Sequence, residues 1–294
     1  MITVLSPGLL TIFQDLGRSG YAHAGVSVAG AADPLSFRVA NRLVGNPENA
    51  PALELTLQGG RYRFEEEAVF SVCGGEFECN VPMWACVPVQ SGFVLEVGPA
   101  RTGCRCYLAV RGGFEAPIVL GSASTHLLSG FGRQILRGDR LEFCSSEPSP
   151  AAINRSVSAV TFEKQMRVTP GAESDDFSGT CTLEFLSTPW IVSEQSNRQG
   201  IRLSGPPLAH RGSGTMASEG VALGAVQVPA SGEPMILFVD SQTTGGYPVI
   251  ANVIAADIPR LGQLRPRDVV RFEAVSFVEA RRLLFEQEAW ISNV

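Results

Sequence analysis

The densest chemistry in the chain lies in Asp240-Ser241-Gln242-Thr243-Thr244-Gly245-Gly246-Tyr247-Pro248. It follows Met235-Ile-Leu-Phe-Val239, a short apolar run suited to a buried strand. A carboxylate, an amide and hydroxyls at a strand end can accept a proton, bind a cation or orient a ligand. The two glycines let a ligand approach the main chain closely. An ordinary turn is the competing reading, because Gly-Gly before a Pro punctuates many loops. Ser193-Glu-Gln-Ser-Asn197-Arg198-Gln199-Gly200-Ile-Arg202 is a second polar stretch, running directly into a strand. Arg198 and Arg202 could bind an anion there, with Asn197 beside them; a solvated hairpin is the alternative.

Three further segments hold candidate groups. Gln14-Asp15-Leu-Gly-Arg18 packs an amide, a carboxylate and a guanidinium around glycine. Arg18 either pairs with Asp15 or offers its planar fork to a carboxylate or phosphate. Glu54 interrupts the apolar alternation of Ala-Leu-Glu-Leu-Thr-Leu. It is a functional acid or sits on the wet face of a strand, and the alternation favours the wet face. Ser122-Ala-Ser124-Thr125-His126 is a hydroxyl-rich turn with one histidine, read as a surface residue. Asp257 either caps a short helix or reaches back to the Asp240 loop.

The elements that must position these groups are mostly strands. Short apolar runs separated by Gly or Pro recur, as in Ala68-Val-Phe-Ser-Val and Cys106-Tyr-Leu-Ala-Val110. Two helices are expected. One is capped by Asp33 with Pro34 at its first position and runs to about Val44; the other is C-terminal and opens on the capping box Ser276-x-x-Glu279. Many strands and few helices argue for closed or nearly closed β-barrels. A weak repeat runs through both halves. Leu108-Ala-Val110, Gly112-Gly113 and Arg137-Gly-Asp139-x-Leu-x-Phe143 parallel Leu237-Phe-Val239, Gly245-Gly246 and Arg267-Asp268-x-Val-x-Phe272. The expected layout is an N-terminal β-domain over 1–146, a linker over 147–160 and a C-terminal β-domain over 161–294.

Composition narrows the function. The chain has 294 residues, 45% of them apolar, and a formal net charge of −6, which argues against a nucleic-acid backbone binder. No run approaches the roughly 18 apolar residues of a membrane span, and the start does not read as a signal peptide. The seven cysteines form no paired C-x-x-C sets, so no metal site is expected. They read as reduced, mostly buried thiols of a cytoplasmic protein. Lys164 is the single lysine, and there is no phosphate loop, H-E-x-x-H or G-x-S-x-G motif. No Met-Lys-Met segment for biotin attachment is present.

Q-D-L-G-R-x-G-Y, A-N-R-L-V-G-N-P-E, Y-L-A-V-R-G-G, L-G-S-A-S-T, S-N-R-Q-G-I-R-L, G-A-V-Q-V-P and D-S-Q-T-T-G-G-Y-P-V-I-A-N-V follow one another along the chain. Together they resemble the allophanate hydrolase subunit 2 family, which includes KipA, the C subunits of 5-oxoprolinases and part of the carboxyltransferase region of urea amidolyase. The resemblance implies two cyclophilin-like β-barrel domains. It implies a KipI-like partner and, in the 5-oxoprolinase system, a LamB/YcsF-like subunit, the set cleaving 5-oxoproline to glutamate with ATP. ATP would be bound together with the partner subunits, through Arg and backbone N–H groups in place of a phosphate loop. Under the carboxyltransferase alternative, biotin arrives on another chain; a third reading is a non-enzymatic regulator of a KipI-like protein. The lack of carrier and carboxylase segments favours the 5-oxoprolinase reading. Self-association is open, and neither nucleic acid nor membrane is an expected partner.

The expected catalytic groups are Asp240, Arg198 and Tyr247. Arg202, Asn197, Gln242, Thr243, Thr244, Arg18 and Glu54 are the expected substrate-binding groups. The Asp240 loop and the Arg198 turn are expected to lie together. Three departures from the family pattern are Leu128-Ser-Gly-Phe131 in place of a longer glycine-rich run, Gln199 where Met is usual, and Arg267 where Gly is usual.

Overall fold

The computed structural model describes residues 1–144 and 155–294. They divide into two compact units. One comprises Met1–Arg18, Ala29–Phe162 and Ile291–Val294; the other comprises Ser19–Val28 and Glu163–Trp290. The expected linker therefore falls partly outside the described residues, at 147–154, and its remainder, 155–160, belongs to the first unit. A feature absent from the sequence reading is the early excursion, in which ten residues after Arg18 join the second unit.

The first unit contains β1 (Ile2–Ser6), β2 (Leu10–Gln14), α1 (Pro34–Leu43), β3 (Ala52–Thr56), β4 (Arg61–Phe64), β5 (Ala68–Gly74), β6 (Phe77–Cys79), β7 (Val87–Val89), β8 (Val94–Ala100), β9 (Arg105–Val110) and β10 (Arg140–Leu141). The strands form two five-stranded sheets, β10-β1-β4-β8-β6 and β2-β3-β9-β5-β7. Alternation sends Val4, Tyr62, Phe64 and Leu95 from one sheet, and Phe13, Leu53, Leu55, Phe70 and Leu108 from the other, into a single core. The opposite face of the second sheet is covered by α1, whose Phe37, Val39, Ala40 and Leu43 pack on Ala52, Cys73, Tyr107 and Ala109. The helix starts as its sequence dictates. Asp33 Oδ1 accepts the Ser36 N–H at 3.0 Å, and Pro34 occupies the first turn, where no amide donor is needed.

The second unit contains β11 (Gln165–Pro170), α2 (Gly179–Ser187), β12 (Trp190–Val192), β13 (Gly200–Ser204), β14 (Glu219–Gly220), β15 (Ala225–Gln227), β16 (Met235–Leu237), β17 (Thr244–Gly245), β18 (Val249–Val253), α3 (Ile258–Gly262), β19 (Val269–Ala274) and α4 (Phe277–Ser292). Seven strands close into a barrel in the order β11-β18-β15-β16-β13-β12-β19, sealed by the parallel pairing of β11 with β19. Closure removes the free edges that an open sheet would expose. Ile201, Ile236, Val226 and Ala251 form one cross-strand row, and all four are buried. β14 and β17 form a separate two-stranded ribbon. α4 begins at the expected capping box, where the Ser276 hydroxyl accepts the Glu279 N–H at 3.1 Å.

The chain is thus mainly β, with a closed barrel in one unit and two sheets around a shared core in the other. The repeated closing strand has a physical basis. In both units the aspartate carboxylate accepts the amide three residues earlier: Leu136 N–H to Asp139 and Arg265 N–H to Asp268, each at 2.9 Å. The Gly-Gly echo is weaker: Gly112 and Gly113 have left-handed φ, whereas Gly245 and Gly246 do not.

Candidate functional site

Two strands bring the Asp240 and Arg198 segments together. β13 and β16 are antiparallel neighbours, with Gly200 opposite Leu237 and Arg202 opposite Met235. The ladder continues past both ends through Phe238 N–H to Gln199 O (3.0 Å) and Asp240 N–H to Arg198 O (2.8 Å). Val239 is an extra residue in this register, which sets Asp240 across from Arg198. Arg198 Nε donates to Asp240 Oδ2 at 2.8 Å and Nη2 donates to Oδ1 at 3.0 Å, a two-pronged ion pair about nine-tenths buried on each side. The expectation that the two segments share a place is met. Their independence is not: the acid and the guanidinium expected to meet the ligand separately engage each other.

The rest of the candidate set is more open. Gln242 and Thr244 are exposed, Thr243 is half-buried, and Tyr247 retains 39% of its surface. Thr244 and Gly245 pair with Gly220 and Glu219 across the β14–β17 ribbon, and Val221 N–H donates to Thr243 O at 3.1 Å. Arg202 projects outward from β13 and is exposed. Asn197 is exposed but works as a turn staple: its Oδ1 accepts Gln199 N–H at 2.8 Å and Gly200 N–H at 3.4 Å. The Arg198 segment is therefore a hydrogen-bonded turn with polar groups at its surface, combining both sequence readings.

Three residues behind the loop carry structure that the sequence does not advertise. Gln227 is fully buried; its Nε2 donates to Tyr247 O at 3.3 Å, while its Oε1 is buried without a partner. A Cβ on Gly245 would fall 2.4 Å from Gln227 Nε2, so the glycine is what lets the loop lie on the amide. Glu173 Oε2 accepts Val249 N–H at 3.0 Å. Burial, the largest cause, and the adjoining Glu219 carboxyl push the Glu173 carboxyl above its ordinary value. Ser27, from the early excursion, donates to Ser241 O at 2.6 Å. The sequence signal for any of these is confined to the Gln of G-A-V-Q-V-P, a family motif whose pattern alone assigns that amide no role.

Arg18 and Glu54 lie in the first unit, whereas the Arg198–Asp240 pair belongs to the second. Glu54 is fully buried under α1, not on a wet face. Its Oε2 accepts Tyr107 OH at 2.8 Å and Ala32 N–H at 2.9 Å, and Arg105 Nε lies 3.4 Å from Oε1. Alternation misleads here because it counts one sheet face as open, and α1 covers that face. The Tyr107 phenol is pushed up by burial first and then by the charges of Glu54 and Asp33, which keeps it a donor toward Glu54.

Asp15 is likewise saturated: it accepts Ser122 Oγ at 2.6 Å, Ser124 Oγ at 2.5 Å, Ala123 N–H at 2.7 Å and Gly17 N–H at 2.7 Å. Arg18 donates to Ser124 O and to Val119 O, and lies 5.1 Å over the Phe131 ring. His126, expected at the surface, is buried, and its Nδ1 accepts the Ser129 N–H at 3.2 Å. Asp257 neither caps its helix through its side chain nor reaches the loop. It is fully buried and bound to Arg167, whose N–H lies 2.8 Å from its Oδ2. Among the described residues no group of three or more His, Cys, Asp or Glu could hold a metal ion, and no helix is long and apolar enough to cross a membrane.

A mainly β chain with a closed barrel belongs to the barrel class that the resemblance implied. The chain belongs to the carboxyltransferase domain, subdomain A and B, family, whose model matches residues 24–274. It is 37% identical to the C subunit of 5-oxoprolinase from Escherichia coli, over 99% of this chain and 98% of that protein. It is 35% identical to the C subunit of 5-oxoprolinase from Haemophilus influenzae, over 100% and 97%. Urea amidolyase of Lachancea kluyveri is 36% identical over 99% of this chain, which spans 18% of that protein. Among solved structures, K. lactis urea amidolyase superposes with a TM-score of 0.91 at 34% identity, covering 99% of this chain and 20% of that one.

Proposed function

We propose that this chain is the C subunit of an ATP-dependent 5-oxoprolinase-type complex, opening 5-oxo-L-proline to L-glutamate together with KipI-like and LamB/YcsF-like subunits. The observation that carries the reading is end-to-end similarity to two 5-oxoprolinase C subunits, against matches that occupy 18% of a urea amidolyase. The Asp240 loop is the proposed contact surface. The bidentate pair takes one lone pair from each oxygen of Asp240, leaving each oxygen a further acceptor direction for a lactam N–H or a proton. Arg198 then acts by fixing that carboxylate. Arg202 is suited to the substrate carboxylate, and Gln242, Thr243, Thr244 and Tyr247 to its amide. Arg18 and Glu54 act inside the first unit as supports.

The groups at this loop do not fit a triphosphate. Arg198 gives two donors to Asp240, the Asn197 oxygen is engaged in its own turn, and Arg202 is the exposed guanidinium of the set. ATP is therefore assigned to a partner, and no step on this chain runs through it. The test is co-expression with the KipI-like and LamB/YcsF-like subunits, followed by measurement of ATP hydrolysis. Stimulation by 5-oxoproline that is lost on omitting this chain supports the proposal. Assembly without stimulation defeats it.

A second reading has its own support: the family description names a carboxyltransferase domain, and the superposition with urea amidolyase covers nearly the whole chain. In that case a biotin carrier and carboxylase supply the carboxyl group, and activity would require urea and a biotinylated partner.

A further inference from the structure

The second unit contains a cavity of about 350 Å³ that shares no residue with the Asp240 loop. It lies between α2, the short helical turn Ser174–Asp176 and the ends of β11, β18 and β19. Its walls are mostly apolar, with Phe177, Phe185, Leu186 and Ile250 among them, and also carry the hydroxyls of Thr169, Ser174 and Thr182. Its rim carries one acid, Asp175, and one base, Arg211, both at the surface. The guanidinium is held close to the acid by Arg211 Nη1 donating to the Asp175 backbone oxygen at 3.2 Å, and by Arg211 N–H donating to Asp176 O at 2.8 Å. Among the described residues no ion pair joins the two charged groups, and the Asp175 carboxylate makes no hydrogen bond.

We propose that this cavity binds an α-amino acid with an apolar side chain, as a zwitterion. The carboxylate meets the Arg211 guanidinium, the ammonium meets Asp175, and the side chain fills the pocket against Phe177, Phe185 and Leu186. Three properties of the site converge on that class. The volume is near the lower limit of ordinary ligand pockets, too small for a nucleotide. Opposite charges at one mouth suit a molecule that carries both within a few ångströms. The walls present no charged group to a second carboxylate, so a dicarboxylic amino acid is a poor fit. The inference goes beyond the proposed 5-oxoprolinase role and rests on different residues.

The test is calorimetric titration of the full chain with L-leucine and L-phenylalanine. L-glutamate, 4-methylpentanoate and 3-methylbutylamine serve as controls for a polar side chain, a lone acid and a lone amine. Saturable binding of the apolar amino acids is expected, weakened about tenfold or more by Asp175→Asn and by Arg211→Met. Both residues lie at the surface, so the fold should tolerate these changes. Gly179 also lines the cavity, and a Cβ there meets nothing within 4 Å. Gly179→Leu should therefore obstruct the cavity without strain and abolish binding. Absence of binding, equal binding of the lone acid or amine, or affinity unchanged in all three variants overturns the proposal.

Discussion

The Arg198–Asp240 pair makes a prediction whose size follows from its surroundings. Asp240→Ala would leave a guanidinium that is about nine-tenths buried facing no carboxylate, and Arg198→Met would leave the carboxylate in the converse position. Removing one member of a buried pair costs about 3–5 kcal/mol, because the survivor remains desolvated and unpaired. Each side chain here keeps about a tenth of its exposure, so the low end, about 3 kcal/mol, applies to each single change. The double variant Arg198→Met/Asp240→Ala has no orphaned charge. Its loss should be close to that of one single variant rather than the sum, giving a coupling of about 2–3 kcal/mol. Two units need not unfold together, so a global midpoint is a poor readout. Hydrogen exchange in peptides covering β13 and β16 reads the loss locally. Coupling below about 0.5 kcal/mol would refute the claim that these residues act chiefly on each other. If 5-oxoproline-dependent ATP hydrolysis by the assembled complex disappeared in Asp240→Asn while exchange in both strands stayed near wild type, Asp240 would have a role at the ligand beyond its pairing.

Arg267 has φ +72°, a left-handed conformation that a non-glycine residue adopts at a cost of about 1–2 kcal/mol. Its counterpart in the first unit is Gly138, at φ +88°. The Arg267 side chain pairs with Glu194 at the surface, an interaction worth little. Arg267→Gly should therefore stabilise the second unit by about 0.5–1 kcal/mol, after subtracting the added freedom of glycine in the unfolded chain; a loss on urea unfolding would contradict this. Tyr107→Phe removes the donor to Glu54 and the acceptor of the Asp33 N–H, both buried. A loss of about 2–4 kcal/mol is expected on urea unfolding, from two unsatisfied groups at about 1–2 kcal/mol each. Glu173 binds its proton more tightly in the folded chain than in the unfolded one, because its carboxyl is raised. Its contribution to stability is thus full below the ordinary glutamate range and lost as pH rises through the raised value. Glu173→Gln should flatten that decline in thermal unfolding, and an unchanged pH slope would count against it.

Local chemistry is legible in the sequence, and contacts made across the fold are not. α1 can be read from Asp33-Pro34 and a four-residue apolar spacing because the cap, the proline and the face all lie within one segment. α4 is legible for the same reason. The repeated Asp139 and Asp268 turns are visible because each carboxylate binds an amide three residues away. Glu54 escapes such a reading because the element covering it, α1, precedes it in sequence and packs on the face that alternation assigns to water. His126 escapes it because its turn folds back on itself, placing the ring beside Phe131 at 6.4 Å. The excursion of Ser19–Val28 into the second unit leaves no compositional mark, so nothing in the sequence connects Ser27 with Ser241.

The four acids considered as functional groups show why this boundary matters for the site. Asp15, Glu54, Asp240 and Asp257 are all buried and all engaged by partners distant in sequence. Ser122 is 107 positions from Asp15, Tyr107 is 53 from Glu54, Arg198 is 42 from Asp240 and Arg167 is 90 from Asp257. A lone acid in an apolar segment attracts a catalytic reading because its partners cannot be seen from the segment. The folded chain reverses the weighting at the Asp240 loop. The carboxylate is the fixed foundation, and the groups turned to solvent are Gln242, Thr244 and Tyr247, with Arg202 on the neighbouring strand. Recognition by such a surface would rest on hydrogen bonds to an amide and one guanidinium for a carboxylate. Under the proposed 5-oxoprolinase function, substitutions at Arg202 and Tyr247 should raise the KM of the assembled complex for 5-oxoproline with little effect on hydrogen exchange in β13 and β16. Substitutions at Arg198 should disturb both together.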